Sequence, residues 1–261
     1  MDDLFIDTFQ EDKISVSEKV KEEMKRLRLS CKYVSSIQLL YNLSASLKVI
    51  FHNVRLLPLH KYYIFHDFNV TSADINIFVE TNLTTKHKNT DFANPVFRLH
   101  RNDSIESTPS KAMYGTAVYI KEDIHCLRQP FGYNRDGIEI TVTILNKPIQ
   151  SLHLVSLYKS PRISVVTLVN IMQFIHHQII QGTPAVIVGD FNINLLEQSS
   201  QRSQISTEMN NLGYTQLIEE ATTDYGSLLD HVYTNTPDSI SCAGVLESYF
   251  SDHKPLFVCM K

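Results

Sequence analysis

Ala185-Val-Ile-Val-Gly-Asp-Phe-Asn192 is the stretch on which the reading of this chain turns. Four small or β-branched apolar residues run into a glycine, then into a carboxylate and a carboxamide two positions apart. Thr183-Pro184 in front and Gly189 behind bound a short buried strand. Gly189 is expected to let the backbone bend at the strand's end. Period-two geometry then sends Asp190 and Asn192 the same way if the chain stays extended. A polar pair at the mouth of a buried strand is where sheet enzymes hold their chemistry. Gly-Asp-x-Asn is equally the composition of an ordinary turn.

Two later stretches weigh toward chemistry. Leu228-Leu-Asp-His-Val-Tyr233 is strand-like with an acid embedded in it, and Ser251-Asp-His-Lys-Pro255 precedes a last apolar run, Leu256–Met260. An Asp-His pair is costly to bury unless the two groups satisfy one another. Three acids, an Asn and a His at strand ends have the composition of a metal-assisted phosphoryl-transfer site.

The rest of the composition limits the classes. A chain of 261 residues suits one large domain, or a domain with a tail, and can bury a full core without staples. Cys31, Cys126, Cys242 and Cys259 are scattered without CxxC spacing, so neither a zinc site nor a disulfide framework is indicated, and reduced intracellular thiols are expected. Met1-Asp2-Asp3 gives no basic start to a signal peptide, and no apolar stretch reaches membrane-spanning length. A net charge of −4 excludes a basic nucleic-acid coat, so any nucleic-acid contact must come from a local, salt-sensitive patch. The Asn-x-Ser/Thr triplets at Asn42, Asn69, Asn82 and Asn102 read as chance without a secretion signal.

Residues 1–46 form an N-terminal extension. Ser15 to Glu18 has capping-box spacing, and Val20, Met24 and Leu27 recur among Lys and Glu, so an amphipathic helix is expected over about 15–30. Residues 47–261 form the folded domain. A strand from Leu47 ends near Asn53 and Arg55; Pro58 suggests a loop, with a short helix over about 60–70. A second strand places Glu80 at its end. Lys86, His87, Lys88, Arg98, His100 and Arg101 form the densest basic group, either a variable surface loop or a contact for a polyanion. Strands follow at 115–120, 138–145 and 151–158, with 130–137 (Pro-Phe-Gly-Tyr-Asn-Arg-Asp-Gly) read as a turn. Ile163–Ile180 is the strongest helix, stopped by Gly182, and Glu197–Leu212 is another. Strands near 214–218, 228–234, 240–246 and 256–260 close the chain. Many short strands with few helices predict an α/β (α+β) domain of two packed sheets with helices outside.

Taken together, the motifs resemble the endonuclease/exonuclease/phosphatase superfamily, which includes abasic-site endonucleases, pancreatic-type deoxyribonucleases and retrotransposon endonucleases. The resemblance is carried in order by Phe51-His52-Asn53-Val54, Glu80-Thr81, Tyr158, Gly189-Asp190-Phe191-Asn192, Asp230 and Ser251-Asp252-His253-Lys254-Pro255. Phe-His-Asn-Val-Arg, Glu-Thr-Asn-Leu and Gly-Thr-Ala-Val-Tyr are similar to endonuclease domains of mobile elements, including those fused to a helicase in Helitron-type transposons. Residues 1–46 are then a possible linker or fusion remnant. Arg55 departs from the abasic-site pattern, which has an Asp there. Pro161 stands where the family usually has Asn, and there is no tryptophan.

The resemblance implies a DNase I-like four-layer sandwich and a metal-dependent phosphodiesterase, a DNA endonuclease of mobile-element type. Its alternatives are a phosphatase or RNA-directed nuclease of the same fold, or a non-catalytic binding domain. It implies Glu80, Asn53 and Asp252 around one Mg²⁺ or Mn²⁺ ion, the missing carboxylate at Arg55 favouring one ion over two. Asp190 orients the attacking water, Asn192 fixes the nucleophile, Tyr158 bonds the phosphate, and His253 donates to it while Asp230 orients the ring. Arg55, Arg98, Arg101, Lys159 and Arg162 are placed on the flanking backbone of DNA, or of RNA. A monomer in the nucleus, with a helicase or transposase module in a parent polyprotein, completes the expectation.

Overall fold

A computed structural model describes residues 47–103, 114–147, 150–248 and 250–261. The helix expected over 15–30 lies outside them. Among the described residues, twelve strands form two mixed six-stranded sheets. In the first, β1 (Leu47–Asn53) is flanked by β12 (Leu256–Met260) and β2 (Ile75–Val79), with β11 (Ile240–Val245) outside β12, and β4 (Thr116–Lys121) then β3 (Phe97–Asn102) outside β2. In the second, β7 (Leu152–Lys159) and β8 (Ala185–Asp190) are central. β6 (Ile138–Leu145) and β5 (Phe131–Arg135) lie on one side of them, β10 (Asp230–Thr234) and β9 (Thr215–Gln216) on the other. Each sheet has a single parallel pair at its centre, β1 with β2 and β7 with β8.

Alternation along the central strands assigns the layers. Val49 and Phe51 of β1, and Val186 and Val188 of β8, belong to one cluster in the seam between the sheets. Ala185 and Ile187 point the other way, onto α3 (Val165–Phe174) and α4 (Ser200–Asn211), with Leu168, Ile171, Met172, Ile205 and Met209. Phe78, Ala117 and Tyr119 pack outward with Leu57 and Ile64 of α1 (Leu57–His66) and Val70 of α2 (Phe68–Ser72). The order helix, sheet, sheet, helix is the four-layer sandwich. Among the described residues no helix is long and apolar enough to cross a membrane.

Several local expectations are corrected. Pro58 sits in the first turn of α1 rather than in a loop before it, where its missing N–H costs no helical bond. Residues 131–135 are an edge strand, β5, and the turn is confined to Asp136 and Gly137, both at positive φ. The helix read as ending at Ile180 is α-helical only to Phe174 and finishes as a π-helical turn over Ile175–Ile180. Gly189 does not bend the chain. It lies inside β8, and a Cβ there would stand 2.2 Å from the Leu157 carbonyl oxygen. The glycine is required because β7 passes that close.

Candidate active site

Strand phase gathers one side chain from each central strand. Asn53 follows Val49 and Phe51, Asp190 follows Val186 and Val188, Asp230 precedes Val232, and Tyr158 shares the phase of Leu154, all seam-facing positions. Register puts them at one end of the sandwich, with Asp190 opposite both Tyr158 and Asp230. His253 enters from the loop before β12, whose Leu256 pairs with Phe51.

The geometry is tight. Asn53 Nδ2 donates to Asp190 Oδ2 at 3.0 Å, a bond that crosses from one sheet to the other. His253 Nδ1 lies 2.9 Å from Asp230 Oδ2, which also accepts from Thr222 Oγ1 at 2.8 Å. Asp230 Oδ1 is buried without a hydrogen-bond partner. Ser251 Oγ donates to the Asn53 carbonyl at 2.8 Å and fixes the loop that carries His253. The backbone N–H of Arg55 donates to Asn53 Oδ1 at 3.2 Å, so the Asn53 amide is held at both ends.

Burial pushes the Asp190 carboxyl up to about 7, and the neighbouring Asp230 charge adds to the effect. For His253 burial works against the charged ring, but the charge and hydrogen bond of Asp230 outweigh it and raise the imidazole to about 9. Burial also raises the Tyr158 hydroxyl, as does Glu80, the carboxylate that this hydroxyl bonds. The His253 shift predicts a stability effect. Its folded value lies above the ordinary 6.5, so the contribution is complete below pH 6.5 and is lost as pH rises through about 9. In EDTA, wild type should lose about 3 kcal/mol more than His253→Gln between those limits. Denaturant melts at several pH values check this, and parallel curves would refute it.

The remaining sequence candidates fall differently. Glu80 stands just past β2 at φ 51°, where its carboxylate bonds the Tyr158 hydroxyl. Asp252 is paired instead with Arg55, Nε to Oδ1 at 2.8 Å, so Arg55 occupies the missing carboxylate's place and neutralises the one beside it. Asn192 does not continue the strand: at φ 48° its amide turns to donate to the Lys159 carbonyl at 2.9 Å. Two of the basic residues are corrected. Arg101 is spent internally on Asp103, the His87 and Thr84 carbonyls and Asn89, and Lys159 is only 2% exposed, its ammonium turned to the Ser160 carbonyl. Arg98 lies on β3 and Arg162 on the exposed turn after β7.

Glu139 was missed. It faces Tyr158 across β6 and β7, and its carboxylate accepts the N–H groups of Tyr114 and Gly115 at 2.6 and 3.0 Å. Tyr114 in turn packs edge-on to Tyr158, 5.5 Å between ring centres. Burial, partly offset by those N–H donors, raises Glu139 to about 7. The signal was available: within Ile-Glu-Ile-Thr-Val the Glu takes one of the strand's two faces, and one face of a doubly covered strand is always seam.

A divalent cation fits this mouth by its donors. Asp190 and Asp230 offer carboxylate oxygens within 4.8 Å of one another and of the His253 ring, and the unpartnered Asp230 Oδ1 is the kind of oxygen that a hard cation takes, while His253, raised to about 9, is placed as a proton donor rather than a ligand. Among the described residues this is the group that converges, whereas Glu80 and Asp252 each have another partner.

Similar folds carry related chemistries. The endonuclease domain of TRAS1, a telomere-specific non-LTR retrotransposon, superposes with a TM-score of 0.64 at 17% identity, over 83% of this chain and 98% of that one. An AP endonuclease from Leishmania major gives 0.65 at 13% identity over 84% and 88%. A mannosyl-6-phosphatase from Bacteroides thetaiotaomicron gives 0.59 at 15% over 83% and 100%. No curated protein matches the chain. Likeness at these identities speaks for the fold; the family follows from the sequence profile described as "Endonuclease/Exonuclease/phosphatase family", which matches residues 50–253. Its members are typically hydrolytic nucleases and phosphatases that use a divalent metal. With that profile spanning the site from β1 to His253, the chain belongs to the endonuclease/exonuclease/phosphatase family.

Proposed function

We propose that the chain is a metal-dependent DNA endonuclease of the mobile-element type, which nicks the backbone by attack of a water on a phosphodiester. The observation that carries it is the seam site itself. A buried Asp190, its carboxyl raised by burial, lies within reach of a His253–Asp230 pair. Asp190, raised toward neutrality, takes the proton of the attacking water, and Asn53 fixes its orientation. His253, held as the cation by Asp230, donates to the phosphate as charge builds on its oxygens. Tyr158 bonds a phosphoryl oxygen, and Asn192 acts through the backbone at Lys159.

A Mg²⁺ or Mn²⁺ ion, one per site, supplies neutralisation of the phosphate charge when bound. Glu80 and Asn53 are the proposed ligands from the first sheet, and Asp252 keeps Oδ2 for it while Oδ1 holds Arg55. Arg55, Arg98 and Arg162 contact flanking phosphates. A phosphatase reading draws on the mannosyl-6-phosphatase fold. The mobile-element reading draws instead on the TRAS1 endonuclease fold and on the sequence flanking each motif. The deciding experiment is conversion of supercoiled plasmid to nicked circles with Mg²⁺ or Mn²⁺, and with EDTA as the control. Nicking only with metal is the expected result. Release of phosphate from sugar or inositol phosphates, with DNA and RNA left intact, would replace the nuclease reading by a phosphatase one.

A further inference from the structure

A second concentration of positive charge lies at the lateral edge of the seam, apart from the Asp190 site. Arg98 and His100 on the edge strand β3 face His125, Cys126, Arg128, Gln129 and Pro130 across a cavity of about 190 Å³. Among the described residues no carboxylate lines it. Several cations elsewhere among the described residues are closely matched. Arg55, Arg101, Lys121 and Lys254 each stand 2.8 to 3.4 Å from an acid.

The two guanidiniums of the cavity are fixed with N–H groups to spare. Arg98 donates Nη2 to the Ile124 carbonyl at 2.6 Å, its Nε is buried with no hydrogen-bond acceptor, and Glu122 forms only a long ion pair with it at 3.8 Å. Arg128 sits over the Phe131 ring, 3.9 Å from its centre, a contact that consumes no N–H donor. Burial and the Arg98 charge together hold the His100 imidazole below its ordinary range, as expected where positive charge already dominates. Pre-oriented forks with unused N–H groups suit a tetrahedral oxyanion, and arginine suits phosphate in particular. The volume matches about six waters, enough for one phosphate group.

Register places the cavity relative to the seam. Val79 pairs with Thr116 on β4, and Thr116 with Asn102 on β3, so β3 runs two strands away from Glu80's strand, roughly 10 Å to the side. His100 and Arg98 lie two and four residues further back along β3, about 7 and 14 Å. A strand crossing the site can therefore reach the cavity within a few nucleotides.

We propose that this cavity is a second phosphate-binding site, which seats a backbone phosphate of the nucleic-acid strand a few nucleotides from the one cleaved. The source of the phosphate rests on the nuclease reading above; the chemistry of the pocket does not. The test uses the full chain in EDTA, so that nothing is cut. In one arm inorganic phosphate is titrated while the imidazole resonances of His100 and His125 are followed by NMR. In the other, oligonucleotide affinity is measured against salt concentration for wild type, Arg128→Gln and Arg98→Gln/Arg128→Gln.

Phosphate is expected to shift both imidazoles in wild type and neither in the double variant. The slope of log affinity on log salt should fall by about one in Arg128→Gln and about two in the double variant. Arg98 also supports Ile124, so the double variant could unfold. Arg128 makes no hydrogen bond among the described residues, so Arg128→Gln carries the test alone. Imidazoles that ignore phosphate, with slopes unchanged, overturn the proposal. Imidazoles that respond while the slopes stay equal overturn the backbone source and leave a free-anion site. A chain whose slopes change as expected but which cuts nothing with metal keeps this site and loses the nuclease reading.

Discussion

Replacing His253 by alanine should lower metal-dependent nicking by about 10² to 10³, the usual cost of one donor to a developing oxyanion. The His253 ring is 4% exposed and bonded to Asp230, so its removal strands a carboxylate that already has one unpartnered oxygen. Asp230→Asn should therefore lose a similar factor, and the double variant scarcely more, because the two residues act as a unit. Asp190→Asn removes the proposed base and should cost about 10² to 10⁴. It keeps a side chain that can still accept from Asn53, so the fold should survive. Plasmid nicking by purified variants, with melting temperatures alongside, decides the matter. Full activity in His253→Ala would mean that the cleavage came from elsewhere, or that the site has been misassigned.

The second large effect is on stability. Gly189→Ala places a methyl group 2.2 Å from a backbone oxygen and 2.9 Å from the Leu157 carbonyl carbon, in the central parallel pair of the second sheet. Overpacking commonly costs about 1–3 kcal/mol. Here the obstacle is backbone rather than a flexible side chain, so the upper end or beyond is expected. Gly182→Ala is the contrast: its φ of 78° is strained for alanine, but nothing lies within 4 Å of the new methyl, so about 1–2 kcal/mol should be lost. Denaturant titration of the two variants should show the ordering. A mild Gly189→Ala would mean that β7 and β8 can separate at little cost.

What could be read in advance follows the physics of each signal. The buried strands were legible because burial on both faces forces a continuous apolar run, as in 185–188, and their ends carried the polar residues that the seam collects. β5 was not legible. It is a half-exposed edge strand, and Phe-Gly-Tyr-Asn-Arg matches turn composition because nothing on its outer edge demands alternation. The left-handed turn at Asn192 is open to asparagine but not announced by it. The Arg55–Asp252 pair joins opposite ends of the chain, and no local pattern encodes such a meeting. Lys159 and Arg101 read as surface cations because composition cannot tell a solvated charge from one folded back onto carbonyl groups.

Asn53 and His253 ride on one sheet, Asp190 and Asp230 on the other, and two contacts at the site close the gap, Asn53 to Asp190 at 3.0 Å and His253 to Asp230 at 2.9 Å. Turnover thus becomes a gauge of how the two layers sit. A small slip between them, well short of unfolding, separates the proposed base Asp190 from the Asn53 amide that orients it. Val188, buried in the seam two residues before Asp190, is where such a slip can be provoked without touching any reacting group.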